Sequence, residues 1–363
     1  MKPKRINYIT TDGWWDTDRT ILPQIEHLYS IYVYVMDGLG TLKFPQKDKY
    51  GEKLDVFTQK YRIRDPRLII RTIRYFIKIS NVVNRKDSLN VFIYGGSIYF
   101  LLLFLIFCPR KNTIIGIHNF QEHIGKRKDY TGIIKKLFYK SFMHFQFYDT
   151  YQERLFCAKH RGKKTYSLKM PLKDFGVFGG KTTMSENHKV TFLFFGNIED
   201  YKRLDLFIKA ANKIDTNKAL FRISGNCRNW GKYKSMIFDK ERYEINIRFI
   251  ENVEIPEIFS TSDFLVLPYQ DATQSGPALI AINYGLPIIA SNLPAFTNII
   301  TNDVNGYLFE NGNASDLESA FQKATELSPH RLKTIKDNMK EFKMKYESYN
   351  IKEIFGEFVD SIK

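Results

Sequence analysis

Twice along the chain, short runs of β-branched and aromatic residues alternate with helical patterns, and a stretch of small residues separates the two series. Such alternation marks parallel α/β structure, because parallel neighbours need a crossover and a helix supplies it. In the first series Ile6–Thr10, Ile31–Met36, Leu54–Tyr61, Val91–Tyr94 and Thr113–Ile117 read as strands, and further units run to about Ser167. A short helix is expected from about Pro23 to Tyr29, and a long amphipathic one over Pro66–Val83 with Leu68, Ile69, Ile73, Phe76, Ile77 and Ile79 on its apolar side. Leu172–Asn187, with three glycines and little apolar period, reads as a linker. The second series opens with a strand at Val190–Phe195. Strands then follow at Leu220–Ser224, Ile247–Phe249, Phe264–Pro268 and Pro287–Ala290, with helices near Leu204–Ile214, Pro256–Ser260, Pro277–Tyr284 and Ala314–Leu327. The expected organisation is two Rossmann-like domains, 1–171 and 190–330, joined by 172–189 and followed by helices over 331–363 that pack back on the first.

Length agrees, since 363 residues exceed one ordinary core. Hydrophobic residues at 44% and charged residues at 26% exclude a disordered chain. Lys+Arg exceed Asp+Glu by 55 − 39 = 16, which draws the protein to something anionic: nucleic acid, acidic lipid or sugar phosphate. Cys108, Cys157 and Cys227 lie far apart, which argues against disulfides or zinc and fits a reducing compartment. No signal-peptide pattern follows the basic Met1–Arg5, so a cytoplasmic location is expected. The 12 apolar residues Ser97–Cys108 are too few to span a bilayer, which takes roughly 20, and read as a buried helix.

The most informative stretch is Ser262–Gly306. A buried strand ends at Pro268 and a polar loop follows. Ser275 and Gly276 are good N-cap residues and Pro277 suits the first helical turn, while Gly285 and Pro287 stop the helix. A helix N-terminus is thereby aimed at a loop on the carboxyl ends of parallel strands, where α/β folds bind ligands and free amides favour phosphate. An ordinary, well-capped turn would read the same way.

Ordered motifs around it carry a resemblance. Phe194-Phe195-Gly196-Asn197 is followed by Lys202-Arg203; Phe221–Asn226 is a strand ending in Gly225-Asn226. Next come Ser262-Asp263 with the strand to Pro268, then Gly276, Gly285-Leu286-Pro287 and Asn305-Gly306-Tyr307-Leu308. Over Val190–Leu327 this set resembles the GT-B glycosyltransferases, in particular the retaining group called family 4. The resemblance implies a GT-B fold, two Rossmann-like domains with parallel sheets facing a central cleft. It implies a retaining, metal-independent transfer of sugar from a nucleotide-diphosphate sugar, with no other cofactor, in surface polysaccharide assembly (capsule, O-antigen or exopolysaccharide).

Site roles follow from the same resemblance. Lys202 would neutralise the donor diphosphate, Gly196 would admit backbone close to it, and the amides of Thr273, Gln274, Ser275 and Gly276 would cap it. Asn197, Gly225 and Asn226 belong to the same donor site, and Asn252–Pro256, with Ile255 and Pro256, would hold the nucleobase. The chain departs from the family's pattern where Ala272 and Ile280 stand in place of its two glutamates, Asn197 in place of an arginine and Asn298 in place of another glutamate. Gln274 and Ser275 are the substitutes for the missing donor-sugar contacts.

In the first domain His118, at the end of the strand Thr113–Ile117, fits a histidine the family places near the donor sugar; a structural strand-end histidine is the other reading. The loop expected at Thr11–Asp16 offers Gly13, Trp14, Trp15, Asp16 and Asp18 for an acceptor, since indoles stack on sugars and carboxylates bind their hydroxyls. Asp16 is a candidate base; Asp16-Thr17-Asp18 is also a literal D-x-D metal motif, or a helix cap, though no metal is expected. Basic clusters at Arg110-Lys111, Lys126–Lys128, Lys135-Lys136 and Lys159–Lys164 point to a peripheral, anionic membrane contact and a polyprenyl-diphosphate-linked glycan acceptor. A GT-B-like sugar-nucleotide epimerase and a nucleic-acid-binding protein are the alternatives; against the second, no helix-turn-helix, RNP or zinc pattern is present and no specific nucleic acid is expected.

Overall fold

The computed structural model describes residues 5–37, 53–58, 65–120, 130–180 and 189–362. Lys126–Lys128 and the far end of the expected strand Leu54–Tyr61 lie outside these. The chain divides into two compact units: one of 1–122, 126–171 and 350–363, the other of 123–125 and 172–349.

The first unit is a seven-stranded sheet, every pair parallel, built from β1 (Arg5–Thr11), β2 (Ser30–Asp37), β3 (Leu54–Thr58), β4 (Ser88–Ile93), β5 (Thr113–Ile117), β6 (His144–Phe147) and β7 (Lys164–Ser167). Their order is β3-β2-β1-β4-β5-β6-β7. The second sheet holds β8 (Val190–Phe195), β9 (Ala219–Ser224), β10 (Tyr243–Asn246), β11 (Phe264–Leu267), β12 (Ile288–Ser291) and β13 (Gly306–Phe309), in the order β10-β9-β8-β11-β12-β13, again all parallel. Both orders reverse after the first strand, at β1/β4 and at β8/β11. That reversal is the Rossmann switch point, where strands diverge and ligands are held at their carboxyl ends. The fold is therefore α/β with two Rossmann-like domains.

Sequence and structure differ at four elements. No short helix starts at Pro23; instead one helix runs Asp12–Ile25 straight from β1, with Pro23 in its last turns. Proline suits a first turn, hence the expectation; this close to the helix end it takes one N–H out of the ladder without cutting the helix in two. The strand expected at Ile247–Phe249 lies earlier, as β10; Ile247 and Phe249 alternate like a strand, but Phe249 is exposed. In the helix Pro66–Val83 the buried stripe is Leu68, Thr72, Tyr75, Phe76, Ile79 and Val83, while Ile73 and Ile77 point to solvent. The helix Ile98–Phe107 buries only Phe100, Leu101 and Phe104 and leaves Leu102, Ile106 and Phe107 exposed, so it is not the buried helix its composition indicated.

The helix Pro329–Glu347 packs within the second unit against Gly276–Asn283. After it, the helix Ile351–Ser361 lies against Asp12–Ile25 of the first unit, burying Ile351, Phe355, Phe358 and Val359. Phe358 stacks on Tyr166 of β7, ring centroids 4.1 Å apart. Residues 172–180 form no helix or strand, but Leu172 and Phe175 pack on the second unit's core.

Candidate functional site

In the second unit the carboxyl ends of β8, β9 and β11 bring distant residues together. Gly196 follows β8 with φ at +99°, a conformation open to glycine, and Gly225 follows β9 at +151°. A Cβ on Gly225 would stand 2.0 Å from the Gly196 carbonyl oxygen, so the two strand-end loops touch backbone to backbone. Gly196 N–H donates to Ser224 O at 2.9 Å, and Ile198 N–H to Asn226 O at 2.8 Å, closing the pair. A Cβ on Gly196 would find the Lys202 Nζ at 3.4 Å and the Pro277 ring at 3.6 Å. Glycine here leaves room between a lysine and a helix start.

That helix is Gly276–Asn283. The Ser275 hydroxyl caps it, accepting from the Ala278 N–H at 3.3 Å, and Pro277 occupies its first turn. It ends as a Schellman motif: Gly285, φ +64°, donates to Ile282 O, and Leu286 donates to Ala281 O. The Lys173 ammonium stands 3.8 Å from where a Cβ on Gly276 would be. Sequence reading placed Lys173 in a linker and passed over it; one lysine in a segment without period carries no local signal.

Lys202 is the unusual group. Its side chain is buried, it makes no ion pair among the described residues, and its ammonium lies over the Tyr269 ring at 5.6 Å. Burial lowers its pKa to about 8, partly offset by the Glu199 charge. A desolvated cation of this kind is stabilised by any dianion that enters.

Other candidates are placed as follows. Asn197 and Asn226 are exposed at the two loop tips, and Thr273 and Gln274 are half-buried beside Ser275. Ile255 and Pro256 are buried at the start of a helix, Ile255–Ser260. The turn before it is rigid: Glu251 and Glu254 form a capping box, and hydrogen bonds from Arg248 hold the Glu254 carboxyl down at about 2. Ile280 is buried in the core and Ala272 packs against that core, so neither glutamate position of the resemblance carries a charge here. A cavity of about 580 Å³ opens at the opposite, amino end of β11, between Asp263, Lys336 and Lys340, and none of the candidate residues lines it.

In the first unit the groups after β1, β4 and β5 converge. The expected loop at Thr11–Asp16 is the first turn of Asp12–Ile25, with Gly13 exposed, Trp14 half-buried and Trp15 buried. Gly95 packs on Thr11, where a Cβ would meet the threonine methyl at 3.0 Å. The Trp14 ring lies flat on His118, centroids 3.2 Å apart, and His118 lies flat on Tyr148 at 3.9 Å. Sequence reading found Trp14 and His118 and missed Tyr148, which follows a strand too short to mark.

Asp18 faces inward. It accepts from the Tyr8 hydroxyl at 2.7 Å and from the Thr10 hydroxyl, and is fully buried. Burial raises its carboxyl to about 7 despite those bonds. The Asp16 side chain lies outside what is described. Among the described residues no three His, Cys, Asp or Glu side chains gather as metal ligands.

Two Rossmann-like sheets with this glycine-and-lysine corner define the class: the fold is that of the GT-B glycosyltransferases. Residues 182–341 match the family model "Glycosyl transferases group 1". The chain is 26% identical over 132 residues to an uncharacterized 41.2 kDa protein in the cps region of Klebsiella pneumoniae, covering 35% of either chain. It is 23% identical over 208 residues to an uncharacterized glycosyltransferase of Methanocaldococcus jannaschii, covering 56% of this chain and 58% of that one. The matched region thus spans about a third and just over half of these two relatives. Among solved structures, HepE of Anabaena in complex with UDP aligns over 99% of each chain with TM-score 0.71 and 14% identity. A glycosyltransferase from Rickettsia africae aligns over 100% and 99% with TM-score 0.74 and 13% identity.

Proposed function

We propose that this protein is a glycosyltransferase that takes a sugar from a nucleotide-diphosphate donor held by the second unit. The observation that carries the reading is Lys202, a buried ammonium without an ion pair among the described residues, facing the first turn of Gly276–Asn283 across Gly196. In the transfer the bond from the sugar's anomeric carbon to the diphosphate breaks, and an acceptor oxygen bonds that carbon and loses its proton. Charge grows on the departing diphosphate, and Lys202, the amides from Thr273 to Gly276 and the helix N-terminus meet it there. Lys173 adds a second positive charge beside Gly276. The rigid turn Glu251–Pro256 offers its backbone to the base. His118, held flat between Trp14 and Tyr148, is the group of the first unit assigned to the reacting sugar, and Gly13 and Trp14 the surface assigned to the acceptor.

The finer reading is a retaining, metal-independent transfer onto a glycan or polyprenyl-diphosphate-linked acceptor in surface polysaccharide synthesis, at the inner face of a plasma membrane. It is supported by the resemblance of the second-unit motifs and by the relative from a cps region. HepE is described with UDP-glucose, which makes UDP the first nucleotide to try.

A thermal-shift panel of UDP, GDP, dTDP and CMP, with and without EDTA, on wild type and Lys202→Ala tests the proposal. One diphosphate should stabilise the wild type regardless of EDTA and act weakly on the variant. No response to any of them would sink the donor reading and favour an epimerase-like or binding protein; a strict metal requirement would overturn the metal-independent reading and return Asp16 as a candidate ligand.

A further inference from the structure

Three neighbouring helices of the first unit, Pro66–Val83, Ile98–Phe107 and Tyr130–Ser141, form one layer over the sheet. Their inner sides interlock: Phe76 meets Phe100 at 5.9 Å and Phe104 meets Phe138 at 6.3 Å between ring centroids. Each helix also turns apolar residues away from the sheet. Ile70, Ile73 and Ile77 lie on successive turns of the first, Leu102 and Ile106 one turn apart on the second, Ile133 and Leu137 one turn apart on the third. Ile77, Ile106 and Ile133 are 59%, 59% and 62% exposed. Single exposed isoleucines are ordinary, but an outer stripe repeated on three adjacent helices is a contiguous apolar face, and such faces mark contact surfaces. The middle helix is the clearest case: the Tyr99 hydroxyl is its one polar side-chain group from Ile98 to Phe107, although Leu102, Ile106 and Phe107 face out.

The charge on this layer has one sign. Arg74, Lys136 and Lys140 are exposed on the outer two helices, Arg110 and Lys111 just beyond the middle one. Residues 66–83, 98–112 and 130–141 contain no Asp or Glu. A protein partner fixes register with charges of both signs, whereas a bilayer asks only for shallow apolar contact ringed by cations. Among the described residues no helix is long and apolar enough to cross a membrane, so insertion would stop at the headgroup level.

Extending the lipid-linked acceptor reading above, on which it rests, we infer that this three-helix layer is the surface by which the protein lies on an anionic membrane. Ile77, Ile106, Phe107 and Ile133 enter the interface, and the flanking lysines and arginines meet lipid phosphates.

Flotation with vesicles of phosphatidylcholine, alone or mixed with phosphatidylglycerol, tests this without nucleotide or acceptor. Wild type should float with the mixed vesicles, and 0.5 M salt, roughly a 4 Å screening length, should weaken it. Ile77→Glu with Ile106→Glu changes only exposed positions and should cut the floated fraction about tenfold. Arg74→Ser with Lys136→Ser should reduce binding to mixed vesicles and leave the weak binding to phosphatidylcholine as it was. Nucleotide-induced stabilisation, read in parallel, should be equal in all forms, which separates failure here from failure of the donor site. The inference is overturned if wild type stays unbound with every vesicle, or if the Ile77/Ile106 variant floats as well as wild type. Self-association of wild type that the variant abolishes, without flotation, would assign the face to a second copy instead.

Discussion

Lys202 has lost its hydration without gaining an ion pair among the described residues, and its pH behaviour should show it. Its folded pKa, about 8, lies below the ordinary 10.5, so the unfolded chain binds more protons between these values. The strain of the buried charge is therefore relieved as pH rises from about 8 towards 10.5, and stability gains over that window. Diphosphate binding needs the charged form and moves the other way: UDP affinity should fall by up to about tenfold per pH unit above 8. Lys202→Met should remove that dependence, weaken UDP at pH 7 by about a hundredfold and leave the fold as stable as wild type or more so, as read by calorimetry and urea titration. A fully retained pH profile in the variant would clear Lys202 of the role. Asp18 has the opposite sign. Its folded pKa, about 7, lies above the usual 3.8, so stability falls as pH rises from about 4 through 7, by at most about 1.4 kcal/mol per unit. Asp18→Asn should flatten that slope in urea midpoints measured from pH 4 to 8.

At the scale of elements, the helix Gly276–Asn283 is short, apolar and made by its ends. Ser275→Ala removes the side-chain cap and should cost about 1 kcal/mol, together with several-fold in nucleotide affinity because the first-turn amides lose their fixed aim. The strand-end contact is less forgiving. Gly225→Ala sets a methyl against the Gly196 carbonyl and should cost at least about 2 kcal/mol, seen as a lowered urea midpoint. A neutral Gly225→Ala would mean the two loops separate in solution. Asn305 and Gly306, read in the sequence as family markers, prove to be structural: Asn305 is buried and bonds Thr301 and Ile299, and Gly306 lets β13 approach β12.

Across the whole molecule, the chain crosses between units and returns, so the last helix completes the first unit's packing. Ending the chain at Tyr349 uncovers the surface that Ile351, Phe355, Phe358 and Val359 bury, and should cost the first unit about 5 kcal/mol or more. Stabilisation of the second unit by UDP should survive, since its core uses none of these residues. Loss of UDP binding on truncation would show that the units fold as one.

The second unit was largely legible because its chemistry is local. A buried strand, a cap, a proline, a glycine stop and their spacing are each set by a few neighbouring residues, and Gly196, Lys202 and Ser275–Pro277 stand in the motifs that named them. Apolar composition likewise determined that Ile98–Phe107 is a helix. Only the tertiary structure decided what depends on packing direction and on distant partners. Which side of Ile98–Phe107 meets the sheet, the inward turn of Trp15 and Asp18, the Tyr148 platform under His118, and the approach of Lys173 to Gly276 all arise between segments far apart in the chain. Periodicity tells a residue how often its face returns, and it cannot tell which of two apolar faces the rest of the molecule will cover.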